Sequence, residues 1–183
     1  MLYRFDGKQP VVGKTTYVSE TATIIGDVRI GEHCYIGPGA ILRGDHGTIE
    51  VGNETAVEEG VIVHTPPDQL CSIGNGVILG HSATIHCKAI YDSVVVGMGA
   101  VLSMQAEIGH GSVVAEGAIV KQGEKIPELI VVAGNPAKKV RDISDREIEW
   151  SNRARQGYVD LATKYCCLGM EKIDLRTAQE PPV

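Results

Sequence analysis

Aliphatic residues recur at every sixth position of this chain: Val18, Ile24, Ile30, Ile36 and Leu42, then Val51, Val57 and Val63, then Ile73, Leu79 and Ile85. After one shorter step the series resumes at Ile90 and runs through Val96, Leu102, Ile108, Val114 and Val120. Small or branched residues lie two positions before many of these, as at Ala22, Val28, Cys34, Ala40, Ala83, Ala100, Ala106 and Ala118. A period of six fits neither the helical repeat of about 3.6 nor the strand repeat of about 2. It fits a parallel β-helix, in which each hexad forms one short side and a turn, and stacked coils bury a continuous aliphatic column. Aromatic residues make up only 4% of the chain, which suits narrow, repetitive packing layers.

The pattern divides the 183 residues into a lead-in over 1–14, a parallel β-helix over 15–135 and a C-terminal helix with tail over 136–183. Two steps exceed six residues, and the segments "RGDHGTIE" and "HTPPDQLCS" there are expected to bulge from corners as loops. Gly134-Asn135-Pro136 reads as the turn out of the solenoid. Ser144 with Glu147 fits a capping box, and a helix is expected from about Ser144 to Cys167, interrupted or bent near Gly157. The tail "DLRTAQEPPV" is expected to be loose.

A net charge of −6 without a Lys/Arg block argues against nucleic acid or an anionic membrane as partner. The start "MLYRFDGKQP" lacks the basic and apolar regions of a signal peptide, and no run approaches a membrane span, so a cytoplasmic protein is expected. The five cysteines, Cys34, Cys71, Cys87, Cys166 and Cys167, lack zinc-knuckle spacing and are expected to be reduced and mostly buried. Cys87 adjoins His86, but neighbours on a strand face opposite sides, which argues against it as a ligand.

The ladder also works as a ruler. Three steps back from Ile85 lie at Val63, so His86 and His64 stack on adjacent coils, and three further steps place Arg43 in the same column. His81 follows Leu79 by two and lies one side of the triangle away, with Glu59 as its neighbour one coil earlier. A column of imidazoles beside Arg43 is repulsive unless the rings are neutral, as they are when they bind a metal. A three-sided prism packs into closed trimers. The expected site therefore takes His64 and His86 from one subunit and His81 from the next. His33 and His110 lack such partners and read as surface residues, whereas His46 sits in the first long step.

The ladder, "RGDHG", the histidine of "GVIVH", the pair in "GHSATIH", the exit "AGNPAKKVR" and the C-terminal helix together resemble the γ-class carbonic anhydrase family, in particular its PaaY- and CaiE-like branch. The resemblance implies a left-handed parallel β-helix and a homotrimer with a Zn2+ site at each subunit interface. It implies His64, His81 and His86 as metal ligands, although three imidazoles also suit Fe2+ or Co2+. Arg43 and Asp45 match the family's "R-x-D", with Glu59 as the acid that pairs with the arginine across the interface. Tyr158 and Asp160 match a tyrosine and an asparagine near the metal. The chain departs from the family at "AVEE", where Ala56 and Glu58 replace Asn and Gln, and in the short loop after His64.

The activity implied is reversible hydration of CO2 to bicarbonate by hydroxide held on the metal. In that scheme Glu58 accepts a proton or hydrogen bond, and His46 is an outer proton carrier. Two alternatives stand beside it: a hexapeptide acyltransferase or CoA-thioesterase acting on an acyl-CoA, and a non-catalytic metal-binding trimer.

Overall fold

The computed structural model describes residues 1–174, and there the hexads wind into a parallel β-solenoid. Two-residue strands such as Thr84–Ile85 and Val101–Leu102 stack in register, with Val63, Ile85, Leu102 and Val120 in one inward column. A second column runs through Ile36, Val57, Leu79, Val96, Val114 and Val132, and a third through Ile30, Val51, Ile73, Ile90, Ile108 and Ile126. Every member of the three columns is buried, and together with the small corner residues they form one continuous core. Each such side chain contributes about 1.5–3 kcal/mol on burial, so stability is built coil by coil.

Among the described residues the strands form a 12-stranded and an 8-stranded sheet. The larger sheet covers two sides of the prism because Ile41–Val51 pairs with Ile62–His64 through residues 41–43 and with Leu70–Ile73 through residues 48–51. This refines one expectation: "RGDHGTIE" bulges at the corner, but it does so within a strand whose two flanks stay paired. The preceding strand, Thr23–Ile30, pairs with it as far as Gly44 and again from Ile49, and the register shifts between Gly26 and Val28, so residues 45–48 bulge opposite Asp27. The second long step does leave the ladder, between Ile62–His64 and Leu70–Ile73.

Sheet pairing also runs past both ends of the 15–135 span. Leu2–Tyr3 and Val11–Val12 pair with Thr23–Ile30, and Lys138–Asp142 returns antiparallel to Ile130–Ala133. Both additions cover strand edges that an open solenoid would expose.

The helix runs without interruption from Asp145 to Leu168. Gly157 does not break it, a correction: its cost of about 1 kcal/mol relative to alanine is outweighed by flanking Tyr158, Leu161, Ala162 and Tyr165, which pack on Tyr17, Tyr35 and Ala56. Tyr17 and Tyr165 stack at 4.5 Å, and Tyr35 and Tyr158 lie 5.4 Å apart, centroid to centroid. The tail expected to be loose lies, beyond Asp174, outside the described residues.

At the helix start one Glu147 oxygen accepts the Ser144 N–H at 3.0 Å and the Ser144 hydroxyl at 2.7 Å. Arg141 grips the same carboxylate through both terminal nitrogens. Arg141 and then Ser144 lower the Glu147 pKa to about 2. A depressed carboxylate stabilises the fold above its unfolded value of about 4.3, and that contribution is lost as the pH falls toward about 2. Thermal melts of Glu147→Gln should therefore show a flatter pH dependence than wild type across that window, and a slightly lower melting temperature at pH 7.

Candidate metal centre

His64 and His86 each follow an inward column residue by one, so both leave the core and meet outside it. Their rings lie 4.9 Å apart and 15° from parallel, and His64 Nδ1 is 3.0 Å from His86 Nε2. Such a contact requires a hydrogen on one nitrogen and a lone pair on the other, so at least one ring is neutral. Burial, followed by the nearby Arg43 and His86, holds the His64 pKa below its ordinary value. His64 Nε2 is buried with no hydrogen-bond partner, and Asp45 Oδ1 stands 3.7 Å from it. An orphaned buried nitrogen costs about 1–3 kcal/mol, and a divalent ion would satisfy it. The donor set therefore fits a metal such as zinc.

Arg43 lies in register with His64, as the ladder count predicts. Its guanidinium pairs with Asp45 at 3.0 Å. Burial acts to raise the Asp45 pKa, but Arg43 outweighs it and holds the acid below its ordinary range. His46 is exposed on the same strand, and its N–H donates to Asp45 Oδ1 at 3.0 Å.

His81 sits at a different corner, which turns through Ser82 in the left-handed region at φ 59°. Its Nδ1 is 2.7 Å from Glu59 Oε2 and its Nε2 is 3.2 Å from Glu58 Oε2. The His81 N–H also donates to Glu58 Oε2 at 3.0 Å. Glu59 accepts the Tyr35 hydroxyl at 2.6 Å. Burial acts to raise the Glu59 pKa, but the hydrogen bonds of Tyr35 and His81 outweigh it and hold the carboxyl below its usual range. Tyr158 reaches Glu58 from the helix, and burial and then that carboxylate push its phenol up.

Within one chain the residues thus form two groups: Arg43, Asp45, His64 and His86, and separately His81, Glu58, Glu59, Tyr35 and Tyr158. Among the described residues of one chain, no three His, Cys, Asp or Glu side chains converge on a metal position. Asp160 is exposed and accepts a hydrogen bond from Gln156 at 2.9 Å, so it joins neither group. Cys34, Cys71 and Cys87 are buried, Cys166 and Cys167 are exposed, and all five are free thiols. His33 and His110 are exposed, and His33 occupies a left-handed corner at φ 58°. Tyr35 is the residue that the sequence reading missed. Its register opposite Ala56, three residues before Glu59, was the available signal.

Stacked hexads and three inward aliphatic columns define the hexapeptide-repeat class of β-solenoid proteins, and residues 9–44 match the bacterial transferase hexapeptide (six repeats) family. The chain is 37% identical to the carnitine operon protein CaiE of a Proteus species, over 98% of this chain and 90% of that protein. It is 38% identical to the mitochondrial γ carbonic anhydrase 2 of Arabidopsis thaliana, over 85% of this chain and 58% of that protein, so it spans little more than half of the plant relative's length. A hexapeptide transferase family protein from Anaplasma phagocytophilum shares the fold with a TM-score of 0.86 and 34% identity, over 90% of this chain and 98% of the other. A putative acetyltransferase from Bacillus cereus aligns with a TM-score of 0.79 and 30% identity, over 92% and 98% of the two chains. The chain belongs to the hexapeptide-repeat family that contains the γ carbonic anhydrases and the CaiE proteins.

Proposed function

We propose that this protein is a γ-carbonic anhydrase-type metalloenzyme that acts as a homotrimer and interconverts CO2 and bicarbonate. The observation that carries the reading is the stacked His64–His86 pair with its buried, unpartnered Nε2. Kinship with the plant γ carbonic anhydrase supports it. His64 and His86 of one subunit and His81 of a neighbour would hold the ion, since His81 lies in a separate group within its own chain. When bound, a zinc ion supplies the Lewis acidity that makes water nucleophilic near neutral pH.

The chain's own residues then manage one proton per turnover, because CO2 and water give bicarbonate and a proton. Glu58 is buried and oriented by the His81 N–H and by Tyr158, so its carboxylate is a fixed acceptor. His46, exposed beside Asp45, passes a proton to solvent. Arg43 adds positive charge beside the histidines, which favours the anionic product.

Metal analysis of the purified protein, followed by a CO2 hydration assay on the same sample, tests the proposal. Stoichiometric zinc with hydration activity supports it, and bound metal without activity points to a structural trimer. The second reading, acyl transfer or thioester hydrolysis on an acyl-CoA, draws on likeness to the Bacillus cereus putative acetyltransferase. Release of CoA from acetyl-CoA by the same sample would favour it.

Glu58 offers a further test. An ionised carboxylate near the reacting centre disfavours a second negative charge there, whereas glutamine does not. At equal metal content, Glu58→Gln should therefore shift the basic pKa of the hydration pH–rate profile downward. An unchanged or raised value would remove Glu58 from the proton path.

A further inference from the structure

We propose that Tyr35 is a positioning residue for the metal centre: its hydroxyl fixes Glu59 so that this carboxylate holds the ring proton of His81 on Nδ1 and leaves the lone pair on Nε2. The proposal rests on the metal reading above, because its value lies in presenting one defined nitrogen of His81 to an ion. A neutral imidazole binds through the nitrogen without hydrogen, and the partner of the other nitrogen decides which one that is.

The contact is built into the fold. Tyr35 is buried, its ring set between Tyr17 at 5.6 Å and Tyr158 at 5.4 Å, so the hydroxyl has little freedom in where it points. It donates to Glu59 Oε1 at 2.6 Å, and the other oxygen, Oε2, meets His81 Nδ1 at 2.7 Å. Gly37 makes the approach passable: a Cβ there would sit 2.9 Å from Glu59 Oε1 and 3.0 Å from Tyr35 Cε1. Ala56, in register with Tyr35 on the next coil, adds only a methyl group to the space beneath the ring.

Glu58 competes for the same proton from the other side of the imidazole. Its Oε2 lies 3.2 Å from Nε2 and is already occupied by the His81 main-chain N–H at 3.0 Å. The Glu59 contact is the shorter by half an ångström, and Glu58 Oε2 is shared with the main-chain N–H, so Nδ1 keeps the hydrogen.

The test uses the full chain, assembled as it purifies, labelled with 15N-histidine. In the metal-free wild type, the His81 nitrogen shifts should report the proton on Nδ1. Tyr35→Phe keeps the ring and its stacking but removes the hydroxyl, and it should produce a mixture of the two tautomers. Gly37→Ala should do the same by displacing Glu59; Gly37 is not at positive φ, so its backbone accepts alanine. Zinc affinity, measured by competition with a chelating dye, should fall by about 10-fold or more in both variants, the usual cost of losing an outer partner of a ligating histidine. Unchanged His81 shifts and unchanged zinc affinity in folded Tyr35→Phe would overturn the proposal. A wild type that binds no zinc would instead overturn the metal reading, and the metal-free tautomer comparison would still decide the role of Tyr35.

Discussion

Replacing His64 with alanine should abolish stoichiometric zinc binding and, with it, CO2 hydration. The loss should exceed the roughly 10- to 100-fold that removal of an outer-shell partner costs, because His64 supplies a ligand nitrogen itself. His81→Ala should give the same loss although its ring lies outside the His64–His86 group in its own chain. The two defects should complement one another if the centre spans subunits. In a closed trimer built from both variants, one interface joins an intact His64 and His86 to an intact His81. Random assembly of an equal mixture should therefore restore about one site in four. Zinc content after co-refolding measures this directly, and verified mixed trimers with no regained metal would mean that the ligands do not come from two chains.

The largest stability effect is expected at the aliphatic columns. Ile85 is fully buried between Val63 and Leu102, one residue before His86. Short, flat strands above and below leave little room for collapse into the gap, so Ile85→Ala should cost about 2–5 kcal/mol. Chemical denaturation should show a lower midpoint with an unchanged slope. The same substitution at Ile62, on the preceding coil and outside the column, should cost far less because its side chain is already 43% exposed.

Much of this architecture was legible in the chain itself. A six-residue period admits few ways to bury one aliphatic residue per repeat, and it fixed which residues share a column and which face inward. The same count placed Arg43, His64 and His86 at one register position and set His81 beside Glu59, and each pairing is present in the fold. Capping by Ser144 and Glu147 was equally local, since it involves residues three apart. At "RGDHGTIE" the nine-residue step is an insertion, as the register shift against Thr23–Ile30 shows; what the period does not reveal is that both flanks of the bulge stay paired as strand.

Only the tertiary structure decided what surrounds the histidines. Glu59 lies a full coil beyond Tyr35 and Gly37 in sequence, and the period alone does not say that the phenol crosses the glycine to reach the carboxylate. The helix likewise carries no mark of where it docks, yet its tyrosines place Tyr158 against Glu58 and leave Asp160 in solvent. The ladder is set by repetition along the chain, so the sequence determines it alone. The hydrogen bonds that orient His81 and Glu58 depend on side-chain directions and on the packing of distant segments, which a one-dimensional period does not encode.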